Sequence, residues 1–142
     1  MEINSCTETA NKAGLEKKDL NNLLNIARIA AEKGGESLMN NYGKIKTIKC
    51  KGTAGDLVTN ADIECERLII DYLDKETPNI SILAEESGIK LKDGELKWCI
   101  DPLDGTTNFA HGYPFFATSI GLIWNNSPIL GAISVPTLNE IY

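Results

Sequence analysis

The sequence predicts a chain of helices and short strands folded as one domain. Three observations carry this. Two stretches repeat apolar residues at helical spacing, several apolar runs are too short for helices and end on turn residues, and two of those runs are joined by Asn125-Asn126-Ser127. With 142 residues and 42% apolar content, the chain has the size of an ordinary domain and can supply a core.

Residues 1–18 are polar and without periodicity, so a flexible N-terminal tail is expected there, with 19–142 as the folded domain. Leu20, Leu23, Leu24, Ala27, Ala30, Ala31, Gly34 and Leu38 make one helical stripe, which predicts a helix capped by Asp19 and running to about Met39 or Tyr42, before Gly43. Ile45, Thr47 and Ile48 alternate with Lys44, Lys46 and Lys49 as in a half-buried strand. Thr59 and Asp62 have the form of a capping box, and Ala61, Cys65, Leu68, Ile69, Tyr72 and Leu73 continue a second helical stripe that must stop before Pro78. Ile80 to Ala84 reads as a buried strand ending on Glu85-Glu86-Ser87-Gly88, and residues 88–97 as a charged excursion. Phe115 to Trp124 and Ile129 to Val135 read as a hairpin, which Pro136 terminates; Glu140 to Tyr142 begins another strand.

The chemistry is concentrated between Trp98 and Gly121. The run Trp98 to Ile100 leads into Asp101 and Asp104 across Pro102, followed by Gly105 and two threonines, the pattern of a strand entering a stiff charged turn. Two acids on one turn repel unless a cation lies between them, and the Leu103 carbonyl offers a further oxygen for a hard divalent cation. Gly105 and Thr106 would open a helical turn whose free N–H groups suit a phosphate. The plainer alternative is an acidic surface turn with a capping aspartate. Taken singly, Asp62 reads as a helix cap, Lys51 as a solvated loop lysine, and Glu85 matters because it too ends a buried strand.

The net charge of −6, with no basic stripe, excludes a nucleic-acid polymer as partner but leaves a small anion open if metal ions reverse the local potential. No apolar run reaches the length of a membrane span. Cys6, Cys50, Cys65 and Cys99 show no metal or redox spacing and no signal peptide precedes them, so free thiols and a cytoplasmic location are expected.

Asp56-Leu57-Val58-Thr59-Asn60-Ala61-Asp62, Glu85-Glu86-Ser87 and Asp101-Pro102-Leu103-Asp104-Gly105-Thr106-Thr107-Asn108-Phe109, continued by Ala110 to Phe115, occur in the order and form that mark the inositol monophosphatase family, and the sequence closely resembles it. The family belongs to the lithium-sensitive, magnesium-dependent phosphatases. The resemblance runs from Asp19 to Tyr142 and corresponds to the N-terminal half of the family's chain. It implies an α+β fold, a two-layer sandwich of two helices on a largely antiparallel sheet, as in the N-terminal half of the sugar-phosphatase (αβαβα) fold. A C-terminal half would close the cleft and complete the second metal site with a Trp-Asp motif.

The same resemblance implies site roles. Glu85, Asp101 and the Leu103 carbonyl would hold one magnesium ion (Mg2+), and Asp101 and Asp104 would contribute to another, with Glu85 also touching a weaker one. Asp62 beside Thr106 would orient and deprotonate the attacking water, the Gly105 and Thr106 amides would bind phosphate next to Asp104, and Lys51 would give electrostatic support. Glu86 is expected behind the ligands, and His111 to pack or hydrogen-bond. The implied activity is hydrolysis of a small phosphorylated polyol or sugar, inositol monophosphate first, by a metal-activated water, in a homodimer at full length. Histidinol phosphate, fructose bisphosphate or a bisphosphate nucleotide are alternatives within that chemistry; a truncated, non-catalytic metal-binding domain is an alternative outside it.

Overall fold

Of the predicted stripe, Leu23, Ala27, Ala30, Ala31, Gly34 and Leu38 are buried on α2 (Lys17–Asn41), joined there by Ile26, whereas Leu20 is half-buried and Leu24 exposed. These positions come from a computed structural model, which describes residues 3–44, 48–50 and 57–142. Glu16, not Asp19, is the N-cap of α2; Asp19 sits at N3, where its carboxylate accepts the Glu16 amide at 2.9 Å and forms one arm of a capping box. The expected tail also needs correcting. Residues Ile3–Lys12 form α1, which lies against β7 (Ser127–Val135) and buries Ala10. A short polar helix has little stability of its own, so the docking that supports α1 leaves almost no trace in the local pattern.

The second stripe forms α3 (Asn60–Glu76), with Thr59 as N-cap and Asp62 at N3 of a capping box, as predicted. Ala61, Cys65, Ile69 and Leu73 are its buried side. At its other end the Thr77 amide and hydroxyl both donate to the Leu73 carbonyl, at 2.8 and 2.7 Å. The same hydroxyl accepts the indole N–H of Trp98 at 2.9 Å, and Trp98 is fully buried. Thr77→Val is therefore expected to destabilise the chain by about 1–3 kcal/mol, because the Trp98 N–H is left buried without an acceptor. A urea melt of the variant checks this, and an unchanged midpoint would mean that the indole finds another partner.

The apolar runs assemble into a six-stranded sheet of order β4-β3-β5-β6-β7-β8. Its further strands are β3 (Ser81–Ala84), β4 (Gly88–Lys90), β5 (Leu96–Asp104), β6 (Ala117–Trp124) and β8 (Glu140–Ile141), and every pair is antiparallel except β3 with β5. The region expected to be an excursion after Gly88 instead holds the edge strand β4, which Lys90 and Lys92 fasten to Asp74 of α3 at 2.8 and 3.0 Å. Asn125 and Asn126 both adopt positive φ, 46° and 63°, between the paired Trp124 and Ser127. That is the two-residue hairpin turn that matches strand twist, so β7 starts at Ser127 and not at Ile129. A separate antiparallel pair, β1 (Ile48–Cys50) with β2 (Leu57–Thr59), precedes α3. The first part of the lysine-alternating strand and Lys51 lie outside the described residues.

Alternation along the strands sends Trp98, Ile100, Ile120, Leu122 and Ala132 to the side covered by α2 and α3. Contact there is close: a Cβ on Gly34 of α2 would lie 2.7 Å from Thr118 Cγ2 and 2.9 Å from Ile69 Cδ1. Leu83, Cys99, Ser119, Gly121 and Ile133 alternate to the opposite, more open side. The two-layer α+β arrangement implied by the motifs is the one found, with α1 as an addition. Among the described residues no helix is long and apolar enough to cross a membrane.

Candidate metal and phosphate site

Parallel pairing brings two of the predicted acids together. Ala84 of β3 stands opposite Ile100 of β5, and the Glu85 amide donates to the Ile100 carbonyl at 3.3 Å, so Glu85, just past β3, comes beside Asp101 of β5. They border a shallow concavity of about 470 Å3 on the open side of the sheet, lined also by Leu83, Cys99, Ser119 and Gly121. A larger groove, about 790 Å3, lies between α2 and the β7–β8 end and is lined by none of the predicted site residues that the structure describes.

Asp101 is the acid of the set that is half-buried against like charges. Its Oδ1 is buried without a hydrogen-bond partner among the described residues. Burial, then a hydrogen bond with Glu85 and the charges of Glu85 and Asp104, push its carboxyl up to about 7. The predicted turn is in fact the end of β5, which runs to Asp104 with an irregular register between Asp101 and Asp104. Pro102 cannot donate to a ladder and sits where the pairing slips, which lets both acids project from one strand end. The Pro102 carbonyl is held from two sides, by the Thr118 hydroxyl at 2.9 Å and the Cys65 thiol at 3.3 Å. Burial pushes that thiol up to about 12, so Cys65 is a packing group and not a nucleophile.

Gly105 makes the corner. Its φ is +87°, and it is the N-cap of α4 (Thr106–Ala110), the helical turn predicted after the acids. From α4 the Thr106 hydroxyl lies 3.1 Å from Asp62 Oδ1 and 3.0 Å from the Leu103 carbonyl, so its single proton can go to one of them at a time. Asp62 is fully buried and its other oxygen takes the Thr59 amide and hydroxyl at 2.8 and 2.5 Å. Helix capping and the contact with Thr106 are thus both real, and one carboxylate does both. Phe109 anchors α4 against Tyr42 and Phe116, the three ring centroids lying 4.9 to 5.6 Å apart. His111 hydrogen-bonds through Nδ1 to the Thr107 carbonyl at 2.8 Å, in line with the structural part expected of it.

Glu66 belongs to no motif that marks the site in the sequence. It is buried on α3, and its two carboxylate oxygens accept the amides of Glu86 and Ser87 at 2.7 and 2.8 Å. One signal was present: an acid four residues after Asp62 and adjacent to the buried stripe, a spacing at which two like charges repel unless each has a partner.

All the donors gathered here are oxygens, the chemistry that hard divalent cations prefer. Among the described residues no three His, Cys, Asp or Glu side chains close around a single point tightly enough to hold a metal ion. The set is open: Glu85, Asp101 and Asp104 bring carboxylate oxygens near one another, and Asp101 Oδ1, without a hydrogen-bond partner among the described residues, is an oxygen that a cation would satisfy.

The paired acids at adjoining strands and the Thr-Asp pair across a glycine corner thus sit together on a two-layer α+β domain. The chain belongs to the inositol monophosphatase family, whose model matches residues 19–142. It is similar to an inositol-1-monophosphatase of Synechocystis, 42% identical over 135 residues that make 94% of this chain and 47% of the relative. A fructose-1,6-bisphosphatase/inositol-1-monophosphatase of Aquifex aeolicus is 39% identical over 127 residues, 88% of this chain and 48% of that one. Among solved structures, the extragenic suppressor protein SuhB of Bartonella henselae superposes with a TM-score of 0.80 at 38% identity, over 84% of this chain and 47% of its own. The chain spans about half the length of the curated relatives it matches.

Proposed function

We propose that the protein hydrolyses a small phosphate monoester with magnesium, inositol monophosphate being the first substrate to test. The observation that carries this is that Glu85 and Asp104 both lie near Asp101, with a Thr106–Asp62 pair beside them, in a chain of the inositol monophosphatase family. Glu85, Asp101, Asp104 and the Leu103 carbonyl are the groups that would hold Mg2+, which when bound supplies positive charge opposite the phosphoryl oxygens and acidifies water.

The protein groups do the rest. Asp62 Oδ1, turned toward Thr106, is placed to take a proton passed through the threonine hydroxyl. When the Leu103 carbonyl is engaged elsewhere, that hydroxyl has only Asp62 left of its two acceptors, which orients its lone pairs outward. The Gly105 and Thr106 amides at the start of α4 are the candidate phosphate donors. A phosphorylated sugar is the second substrate reading, supported by the name of the Aquifex relative.

The test is phosphate release from inositol monophosphate by the full-length protein, with Mg2+ and with chelator. Release that needs Mg2+ is expected, together with inhibition by lithium at millimolar order that matched sodium does not reproduce. Release that survives chelation would overturn the metal part of the proposal, and lithium acting no more strongly than sodium would count against Mg2+ as the resident ion.

A further inference from the structure

One helix reaches both strand ends that carry the acids. Glu85, Glu86 and Ser87 form the loop between β3 and β4, where Ala84 pairs with Gly88 and Gly88 takes φ +84°. Glu66 Oε2 accepts the Glu86 amide at 2.7 Å and Oε1 accepts the Ser87 amide at 2.8 Å, so each oxygen of a buried carboxylate holds one N–H of that loop. One turn earlier on α3, about 6 Å along the axis, Asp62 holds Thr106 beyond the end of β5. Neighbouring carboxylates at this spacing repel, so the helix tolerates the pair through the separate partners each one binds.

We infer that Glu66 is a positioning residue for the metal site: through it α3 sets where Glu85 stands relative to Asp101. The inference rests on the proposed reading of Glu85 and Asp101 as metal-holding groups. A hairpin loop left to itself can twist about its glycine, and Glu85 would then have to be ordered each time a cation bound. Magnesium requires near-ideal octahedral geometry, so an acid held in place before binding lowers the ordering entropy that binding must overcome. A Glu66 that only stabilised the fold would move the melting temperature and leave metal affinity alone.

Glu66→Gln in the full-length protein separates the two, because the amide keeps one acceptor oxygen and turns an N–H2 toward the other loop amide. With Mn2+ alone as the probe, read by electron paramagnetic resonance in the absence of substrate, the variant should bind about 10-fold more weakly or worse. The Mg2+ concentration for half-maximal activation should rise by a similar factor, with kcat at saturating Mg2+ little changed. A folded variant with wild-type Mn2+ affinity overturns the inference while leaving the metal reading intact. A wild-type protein that binds no Mn2+ overturns the metal reading, and the inference with it. Should the variant not fold, hydrogen exchange in the wild type decides: Mg2+ should slow exchange of the Glu86 and Ser87 amides, since coupling through Glu85 is reciprocal, and exchange that is unchanged at saturating Mg2+ overturns the inference.

Discussion

Asp101→Asn is expected to lower magnesium-dependent phosphate release more than about a hundredfold while leaving the protein folded. The carboxylate stands against Glu85 and close enough to Asp104 to feel its charge, with one oxygen buried and without a hydrogen-bond partner among the described residues. An asparagine there keeps the shape and removes the charge that a cation needs. Without metal the same change removes a buried like-charge contact, so the variant should melt no lower than the wild type and somewhat higher if repulsion dominates. The stabilisation that Mg2+ gives to the wild type should shrink or vanish, because a ligand stabilises only the state that binds it. Phosphate-release assays and thermal melts with and without Mg2+ on the full-length protein check both halves. A purified variant with near-normal turnover would show that Asp101 does not hold the metal.

Gly105→Ala should damage both fold and site. At φ +87° a residue with a Cβ loses roughly 1–2 kcal/mol, and the new atom would lie 2.7 Å from the Phe115 carbonyl oxygen, which is backbone and has little freedom to retreat. Adding overpacking of about 1–3 kcal/mol gives a loss of several kcal/mol, on the order of 10 °C in melting temperature. The strain falls at the corner that aims Thr106 at Asp62, so the surviving folded fraction should also turn over more slowly per molecule. Activity normalised to the folded fraction by circular dichroism checks this. A variant that melts like the wild type would mean that the corner relaxes around the methyl group at no cost.

Local patterns in the sequence were enough for elements whose cause is local. The capping box Thr59–Asp62, the stripes of α2 and α3, the helical turn after Gly105 and the Asn-Asn hairpin each follow from side-chain spacing or from a backbone preference that a few neighbouring residues set. Glu85 and Asp101 stand out because each ends a buried apolar run, Asp62 because it closes a capping box, and Asp104 and Thr106 because they share the turn after Asp101; their roles were implied by the family motifs. Their mutual placement could not be derived from the residues alone. That Glu85 lies against Asp101 depends on β3 and β5 pairing in parallel at Ala84 and Ile100, a contact between segments separated by a whole edge strand. The slip that carries β5 on to Asp104, the docking of α1 on β7, and the carboxylate of Glu66 closing on the Glu86 and Ser87 amides were likewise decided by tertiary contacts. Hydrophobic periodicity reports which face of an element is buried, whereas hydrogen bonds between distant segments are selected only after those faces have met.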